Sequence, residues 1–598
     1  MKQRVLYFVL LFLSAHVVFG QFENFITKQN DKLMDGDKEF RFISFNIPNL
    51  HYIEDNFPFD ETNPWRLPDE FEIRDALSSI NQIGGKVVRT YVITVKRDVD
   101  IPGMIKHVEA PGKFNEEAFI ALDKMMQIAN EMGVRLIIPL VDNWWWMGGR
   151  AEYAAFRGKT KDEFWTDPQL IEDFENTIKY VVNRKNTFTG VLYKDDKSIL
   201  GWETGNELQS PYSWQAIISA YIQSVDTNHL VIINPHTAFI DEQSIADTNI
   251  DVVSTHYYES SETAIPKILR NRELTKGKKP YFVGEFGFIP SYEFEPIFDS
   301  VIDNGISGAL LWSLRFRNKD GGFYKHYEKS GFSAYNWPGY YFNESYNEKA
   351  VLSLIRDKAH KIDNKSVQQL PKPIAPKLLP TDNVHKISWQ GSAGAILYVI
   401  QRKEEGGDWE IIEVTDDTHI AYRPLFTDTS AVRGKNYYYT MWAWNGSELS
   451  ELSNEIGPIA VNDKMIIDEL FDETYIYKME GNLQFLSMEN VRQAKEDRSR
   501  LTGEDNNSIV YKTNREIKKI QIDAFLPNEN SKIEILIADK SQNFNAINAD
   551  VTLFPFSEND YGFFIPARYS NEPTDKKIEF VKIVFTGKAE LSRVEITY

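Results

Sequence analysis

The first part of the chain alternates short apolar runs with stretches that have the periodicity of amphipathic helices. Eight apolar runs of strand length occupy residues 40–47, 86–92, 135–141, 199–202, 230–234, 252–255, 281–283 and 308–312. Between the first two, Ile73, Leu77 and Ile80 recur at helical spacing, and similar stretches precede the third and the eighth runs. Eight strands that alternate with helices predict an α/β fold, a (β/α)8 TIM barrel.

The barrel is predicted over residues 21–362 and ends in a helix at 345–362. One face of that helix carries Val351, Leu352, Ile355 and Ala359. A doubly wound open sheet is the alternative for such an alternation. That fold places a Gly-rich phosphate loop after its first strand, and no such loop is present here.

Beyond the barrel the hydrophobic period changes to two, which is typical of β-sandwiches. Four prolines predict a stiff linker at 363–380. Alternating strands follow at 386–389, 396–400 and 437–445, and the last of them resembles the late-strand signature of a fibronectin type III domain, expected over 372–460. Further alternating runs at 520–524, 533–537, 581–585 and 594–596 predict a jelly-roll-like sandwich over 461–598. This second sandwich resembles carbohydrate-binding modules, and a binding role and a purely structural role both remain open.

The N-terminus has the three parts of a signal peptide. Lys2 and Arg4 precede the apolar run from Val5 to Leu13, and the small residue Gly20 marks a cleavage site. A membrane anchor is the alternative, but the uncharged stretch 5–22 only reaches the lower bound of a spanning length. We therefore expect residues 1–20 to be removed, no membrane span to remain, and the protein to be secreted, periplasmic or held at the cell surface.

Composition narrows the function. At 598 residues the chain is long enough for several domains. The formal net charge of −20 argues against nucleic acid as a partner, because nucleic-acid-binding surfaces are basic. Cysteine is absent, which excludes disulfides and a cysteine nucleophile. The histidines lack the spacing of metal ligands, so we expect neither a metal site nor a cofactor.

Two glutamates stand out because each follows or closes a predicted core strand. They are Glu207, in Asn206-Glu207 after the fourth run, and Glu285, in Gly284-Glu285-Phe286 after the seventh. An ionised group leaves water at a large cost in free energy, so a carboxylate in this position is expected to serve a function. In a TIM barrel, the carboxyl ends of the strands form the active site. Two carboxylates that converge there are the groups that cleave a glycosidic bond.

The chemistry assigns a role to each polar residue at a strand end. In a retaining glycosidase one carboxylic acid protonates the leaving oxygen, and a carboxylate about 5–5.5 Å away attacks the anomeric carbon. We expect Glu207 to be the acid/base, with a pKa raised by burial and by the neighbouring negative charge, and Glu285 to be the ionised nucleophile. Arg89 and Tyr258 are the candidates to keep Glu285 ionised, Asn206 is the candidate to bind the sugar 2-hydroxyl, and His256 would orient the acid/base or bind substrate. Trp312 and some of Trp144, Trp145 and Trp146 offer faces for sugar stacking, although three consecutive tryptophans cannot all face one way.

The order of these residues resembles glycoside hydrolase family 5, in the clan whose catalytic glutamates lie on strands 4 and 7. The chain most resembles the branch of the endo-β-1,4-mannanases. Their strand-3 motif is matched here by Leu140-Val141-Asp142-Asn143-Trp144, Gly148-Gly149 and Tyr153, and their strand-2 motif by Val88-Arg89-Thr90. The resemblance covers residues 30–362. It implies that Glu207 and Glu285 are catalytic and that the substrate-binding residues are Arg89, Asn143, Trp144, Asn206, His256, Tyr258 and Trp312.

Three features depart from that branch. Leu208 replaces the proline that usually follows the acid/base, and the run of three tryptophans, 144–146, is not usual there. The segment 314–324 after the last strand also differs; it is bulky and charged and could reshape or close one end of the cleft. The expected function is a secreted retaining glycosidase that acts on β-mannan. A β-1,4-glucanase, an exo-β-mannosidase and a non-catalytic glycan-binding barrel are the alternatives.

Overall fold

The computed structural model describes residues 22–598 apart from several short segments. The residues outside the description are 1–21, Asp55, Phe57, Pro64, 327–333, 342–343, 418–423, 487–498, Glu529, 556–563 and 575–576. The predicted signal peptide, 1–20, therefore lies outside the described residues. Within the described part, no helix combines the length and the apolar character needed to cross a membrane.

Eight parallel strands close into a barrel, as the sequence predicts. We number them 1 to 8 in chain order: Phe42–Asn46, Val87–Arg89, Arg135–Pro139, Ile199–Glu203, Leu230–Ile233, Val252–Tyr257, Tyr281–Phe286 and Gly308–Leu311. Each is buried along its whole length, and buried parallel strands read as near-continuous apolar runs. This is why the predicted runs match the strands to within three residues at either end.

Helices surround the barrel. In chain order they are α1 to α9: Glu70–Ile83, Glu116–Met132, Arg150–Ala155, Pro168–Val182, Tyr212–Val225, Glu242–Ala246, Ser261–Thr275, Phe294–Asp303 and Glu348–Ile362. Helix α1 shows why such boundaries fall where they do. Asp69 and Glu72 form a reciprocal capping box at its start, and Gly84 ends it with a left-handed φ of 89°.

The barrel interior is apolar at its lower end and aromatic at the carboxyl ends of its strands. Side chains from all eight strands, including Phe42, Ile137 and Phe282, form a core. An N-terminal hairpin, Ile26–Gln29 paired with Lys32–Asp35, closes this core from below through Ile26 and Leu33. At the carboxyl ends of the strands a different cluster contains Tyr52, Trp65, Tyr91, Met147 and Trp312. The polar residues of the site lie next to these aromatic rings.

All-β sheets follow the barrel. A four-stranded sheet, in spatial order, consists of Glu410–Thr415, Leu397–Glu404, Asn436–Trp444 and Ile456–Ala460, with a short pair Lys377–Leu378 and Trp389–Gln390 beside it. The last part of the chain forms a seven-stranded and a five-stranded sheet. The seven strands are Gln484–Leu486, Arg500–Gly503, Ala589–Thr597, Lys519–Leu526, Ile565–Asn571, Asp550–Leu553 and Met465–Asp468. The five are Lys478–Glu480, Ser508–Lys512, Phe580–Thr586, Lys532–Ala538 and Asn545–Ile547. The fold class, a TIM barrel followed by all-β sheets, is confirmed.

The C-terminal sheets contact the barrel at its catalytic end. Arg317, in the segment after strand 8, forms a buried ion pair of 2.6 Å with Asp417. Phe59, in the loop after strand 1, packs edge-to-face on Phe525 at 5.5 Å, and its neighbour Asp60 lies 3.3 Å from Arg568. The last two sheets therefore hold a loop that borders the carboxyl end of the barrel strands.

Candidate active site

The structure brings Glu207 and Glu285 together at the carboxyl end of the barrel. Glu285 lies near the end of strand 7, and Glu207 lies four residues beyond strand 4 with a φ of 50°, which is uncommon for a residue other than glycine. One carboxylate oxygen of each and a ring nitrogen of His256 all lie within 4.8 Å of one another. This proximity fits the retaining arrangement, in which the two carboxyl groups lie about 5–5.5 Å apart.

Glu285 is buried and held by three donors. Arg89 Nη1 donates to its Oε1 at 2.6 Å, the Tyr258 hydroxyl donates to its Oε2, and His256 Nδ1 lies 3.2 Å from the same oxygen. Burial raises the pKa of Glu285, and the positive charge of Arg89 opposes that rise. Glu285, the candidate nucleophile, is therefore paired with a cation and accepts a hydrogen bond from a hydroxyl group.

Arg89 is itself fixed by a second carboxylate that the sequence analysis missed. Its Nε and Nη2 donate to Glu203 at 2.9 and 2.7 Å, and Nη2 also donates to Asn206 Oδ1 at 2.8 Å. Arg89 and Glu203 are both fully buried. A bidentate pair in this environment fixes the orientation of the guanidinium, so Glu203 positions the group that contacts Glu285.

Glu207 has a lowered pKa, and the sequence prediction of a raised value was wrong. Burial does raise it, but the nearby His236 and hydrogen bonds from His256 and Trp144 together lower the pKa of Glu207 below its usual range. Trp144 Nε1 donates to Oε2 at 2.7 Å, His256 Nδ1 lies 2.9 Å from Oε1, and His236 Nδ1 lies 3.8 Å from Oε2. Donors stabilise the ionised carboxylate, and the sequence does not reveal how many donors turn toward it.

Asn234, which follows strand 5, determines the tautomer of His256. Asn234 Oδ1 accepts the backbone N–H of Glu207 at 3.3 Å, so its Nδ2 faces Ser254 Oγ at 2.9 Å and His256 Nε2. Because the amide donates to Nε2, the imidazole carries its hydrogen on Nδ1. Nδ1 is the nitrogen that faces both glutamates, so His256 is a donor to them. The same three side chains are close enough to hold a metal ion, but this tautomer places a hydrogen where the metal would bind.

Asn206 is held by a buried acid. Its Nδ2 donates to Asp142 Oδ1 at 3.1 Å and to the Tyr91 hydroxyl at 3.0 Å. Asp142 is fully buried, and burial raises its pKa to about 7. Gly148 lets the strand-3 loop that begins at Asp142 pack closely, because a Cβ at Gly148 would lie 1.9 Å from the Val95 carbonyl oxygen.

A cavity of about 340 Å³ opens above the two glutamates. Besides Asn206, Glu207 and Glu285, it is lined by Tyr91, Trp144, Trp146, Tyr258, Phe288, Trp312 and His326. The three consecutive tryptophans do not all face one way. Trp144 and Trp146 line the cavity, whereas Trp145 is 51% exposed and lies outside it.

The other predicted residues fall into two groups. Arg89 and His256 lie directly behind the cavity and contact its carboxylates. Asn143 does not line it, and its Oδ1 accepts a hydrogen bond from Arg150 Nε at 2.8 Å. The sequence analysis missed Glu203, Asn234, His236 and His326. The run Asn234-Pro235-His236 directly follows strand 5, so the strand-end rule applied to that strand would have found two of them.

Comparison with known proteins identifies relatives of the barrel. Residues 25–261 match a family described as "GH family 5 beta-mannosidase-like". Mannan endo-1,4-beta-mannosidase 4 of Solanum lycopersicum is 33% identical over a region that covers 26% of this chain and 42% of that protein. Mannan endo-1,4-beta-mannosidase 1 of Arabidopsis thaliana is 29% identical, with 34% of this chain and 64% of that protein covered. This chain therefore spans less than two thirds of either relative.

A solved structure also superposes on part of the chain. The endo-1,4-beta-mannanase from Rhizomucor miehei is 21% identical and superposes with a TM-score of 0.47, covering 57% of this chain and 100% of that one. A likeness of this degree carries no weight for activity.

Proposed function

We propose that this chain, whose residues 25–261 match the family described as "GH family 5 beta-mannosidase-like", hydrolyses β-mannosidic bonds with retention of configuration. The observation that supports this most strongly is the Glu207–Glu285 pair. One oxygen of each lies within 4.8 Å of the other, at the end of the barrel where TIM-barrel enzymes carry out their chemistry.

In the first step Glu285 attacks the anomeric carbon. A bond forms between that carbon and a Glu285 oxygen while the bond to the glycosidic oxygen breaks, and Glu207 gives its proton to that oxygen. The leaving group departs as an alcohol, and a glycosyl ester remains on Glu285. In the second step Glu207 takes a proton from water, the water oxygen bonds to the anomeric carbon, and Glu285 is released as a carboxylate.

The lowered pKa of Glu207 favours its ionised form, which is the form that the second step needs. An ionised Glu207 is a base, and Trp144 and the two histidines stabilise that form. For the first step the carboxyl group must be protonated. A bound sugar excludes water from the cavity and competes with Trp144 for Oε2, and both effects raise the pKa of Glu207.

The remaining residues position the substrate and the nucleophile. Arg89 and Tyr258 would stabilise the carboxylate that leaves the intermediate, and Asn206 would bind the sugar 2-hydroxyl, with its side chain oriented by Arg89 and Asp142. Trp312, buried beside the cavity, would stack on the sugar in the cleavage site, and Trp144 would contact the leaving group.

We also propose that the N-terminal segment 1–20 directs export and that the sheets over 372–460 form a fibronectin type III-like domain. For 461–598 we propose a jelly-roll-like sandwich that binds glycan. Its exposed aromatic side chains Phe471, Tyr475 and Tyr477, which are 46–51% exposed, support this role because flat exposed rings suit sugar stacking.

Hydrolysis of mannan, glucomannan, cellulose and xylan tests the proposal. Wild type should release sugar from mannan, and Glu285→Ala should lose nearly all activity and still bind the polymer. Release from cellulose but not from mannan would favour the glucanase alternative. Binding with no release from any β-linked substrate would show a non-catalytic barrel and would overturn the proposal.

A further inference from the structure

Two loops from different sides of the barrel meet above the ends of strands 1 and 2. Trp146 lies in the loop after strand 3, and His326 lies in the segment after strand 8. Their ring centroids are 5.1 Å apart. Around the barrel these strands run in the order 8, 1, 2, 3. The contact between the two rings therefore crosses the space over strands 1 and 2, and we call it the Trp146–His326 wall.

The position of Glu207 shows which end of the cavity this wall closes. The oxygen that Glu207 protonates joins the attacked sugar to the leaving group, so the leaving group extends away on the Glu207 side. There Trp144 and His236 border the site, and the His236 side chain is 39% exposed. Strand 4, which leads to Glu207, lies across the closed barrel from strand 8, which leads to His326. Tyr91, after strand 2, packs on the other member of the wall, with its ring centroid 4.9 Å from that of Trp146. The wall therefore stands at the end that receives the sugar on the non-reducing side of the bond.

The wall is braced from behind. Glu54, in the loop after strand 1, is 2% exposed, and its Oε1 lies 3.6 Å from His326 Nδ1. The same oxygen accepts a hydrogen bond from Arg315 Nη2 at 3.0 Å. On the other side, Arg97 Nη1 donates to the Trp146 carbonyl oxygen at 2.9 Å. The His326 ring thus lies beside a buried carboxylate and the Trp146 backbone is bonded to a buried guanidinium, which hold the wall in place.

We propose that the enzyme acts at chain ends and removes one sugar at a time from the non-reducing end of β-mannan chains and short oligosaccharides. This inference rests on the proposed retaining activity and adds its mode of action. A chain that continued past the cleavage site would have to pass through the space that Trp146 and His326 fill. The cavity of about 340 Å³ is also near the lower end of the range for ligand pockets, roughly 300–1,000 Å³.

The first products from mannopentaose test the inference. Chain-end cleavage predicts mannose and mannotetraose at the earliest time points, whereas mannobiose with mannotriose would overturn it. A mannopentaose methylated on the 4-hydroxyl of its non-reducing terminal sugar provides a second measurement. We expect wild type to cleave this capped substrate about 100-fold or more slowly, because the cap meets the wall. Equal rates on both substrates would contradict the inference.

Variants locate the effect. His326→Ala should raise the rate on the capped pentaose by about 10-fold over wild type, since it removes half of the wall. Trp145→Ala is the matched control, because Trp145 belongs to the same loop and lies outside the cavity. It should change neither rate. If His326→Ala does not fold, the wild-type product pattern still decides the question.

The failure of this inference differs from the failure of the proposed function. Mixed-length first products, together with cleavage of mannan, would contradict chain-end action but not the proposed retaining activity. If mannan, mannopentaose and an aryl β-mannoside all remain uncleaved, both chain-end action and the retaining activity are contradicted.

Discussion

Arg89 donates a 2.6 Å hydrogen bond from Nη1 to Oε1 of Glu285, and neither side chain is more than 5% exposed. Burial alone would favour the neutral acid at Glu285, which is a poor nucleophile. The guanidinium opposes this effect and is oriented by its own pair with Glu203. The reactivity of Glu285 therefore depends on a cation that does not line the cavity.

Arg89→Lys should raise the pKa of Glu285, because a lysine cannot reproduce the planar set of bonds to Glu203, Asn206 and Glu285. The acid limb of the kcat profile, which reports the substrate complex, should move to higher pH, and kcat/KM should fall by about 10²-fold. Arg41→Lys, in which a partly buried barrel arginine that bonds backbone carbonyls is changed, is the control and should leave the limb in place. An acid limb unchanged in Arg89→Lys would contradict this role.

Glu207→Ala should show a strong dependence on the leaving group. Loss of the proton donor should slow cleavage of manno-oligosaccharides by about 10²–10⁴-fold. A dinitrophenyl β-mannoside should lose much less in kcat/KM, because its leaving group departs without a proton. Steady-state kinetics on both substrates measure the difference, and equal losses would argue against an acid role for Glu207.

Trp144→Phe removes the indole N–H that bonds Glu207 Oε2 at 2.7 Å. A donor to a carboxylate favours its ionised form, so its loss should raise the pKa of Glu207 in the free enzyme. The carboxyl carbon-13 NMR signal of Glu207 should therefore titrate at higher pH in Trp144→Phe than in wild type. Trp145→Phe, at the neighbouring tryptophan outside the cavity, should keep the wild-type titration. A shift to lower pH in Trp144→Phe would contradict the assignment.

Asp142 should make stability depend on pH. Its pKa is about 7 in the folded protein and about 3.9 when unfolded, so the unfolded state binds fewer protons between these values. The stability that Asp142 contributes is then fully present below about pH 4 and is lost as pH rises through about 7. The amide of an Asp142→Asn variant cannot ionise, so relative to that variant wild type should lose about 2–3 kcal/mol between about pH 5 and pH 7. Denaturant unfolding of both proteins at the two pH values measures this, and a constant difference would contradict the raised pKa.

The barrel and its catalytic pair were accessible from the sequence because local patterns encode them. Strands buried on both faces are apolar along their length, and the residues that follow them meet at one end of the barrel. This reasoning located Glu207 and Glu285, and it placed Arg89 and His256 beside them. Each follows or closes a strand whose end the hydrophobic pattern marks.

Other features depend on contacts that sequence spacing does not encode. The Glu203 side chain could be assigned only once Arg89 was seen to contact it, and the Trp146–His326 contact joins loops about 180 residues apart. The pKa of Glu207 was predicted in the wrong direction because burial was foreseen and the donors Trp144 and His236 were not. The role of Glu203, the Trp146–His326 contact and the pKa of Glu207 each depend on a residue that lies far away in the sequence.

The stereochemistry of the first-formed product tests the central claim most directly. Proton NMR of the anomeric signal during the first minutes of hydrolysis identifies the configuration before mutarotation mixes the anomers. A nucleophilic Glu285 within 4.8 Å of Glu207 predicts that the β-anomer forms first and the α-anomer appears later. The α-anomer as the first product would show inversion and would contradict the double displacement proposed for Glu207 and Glu285.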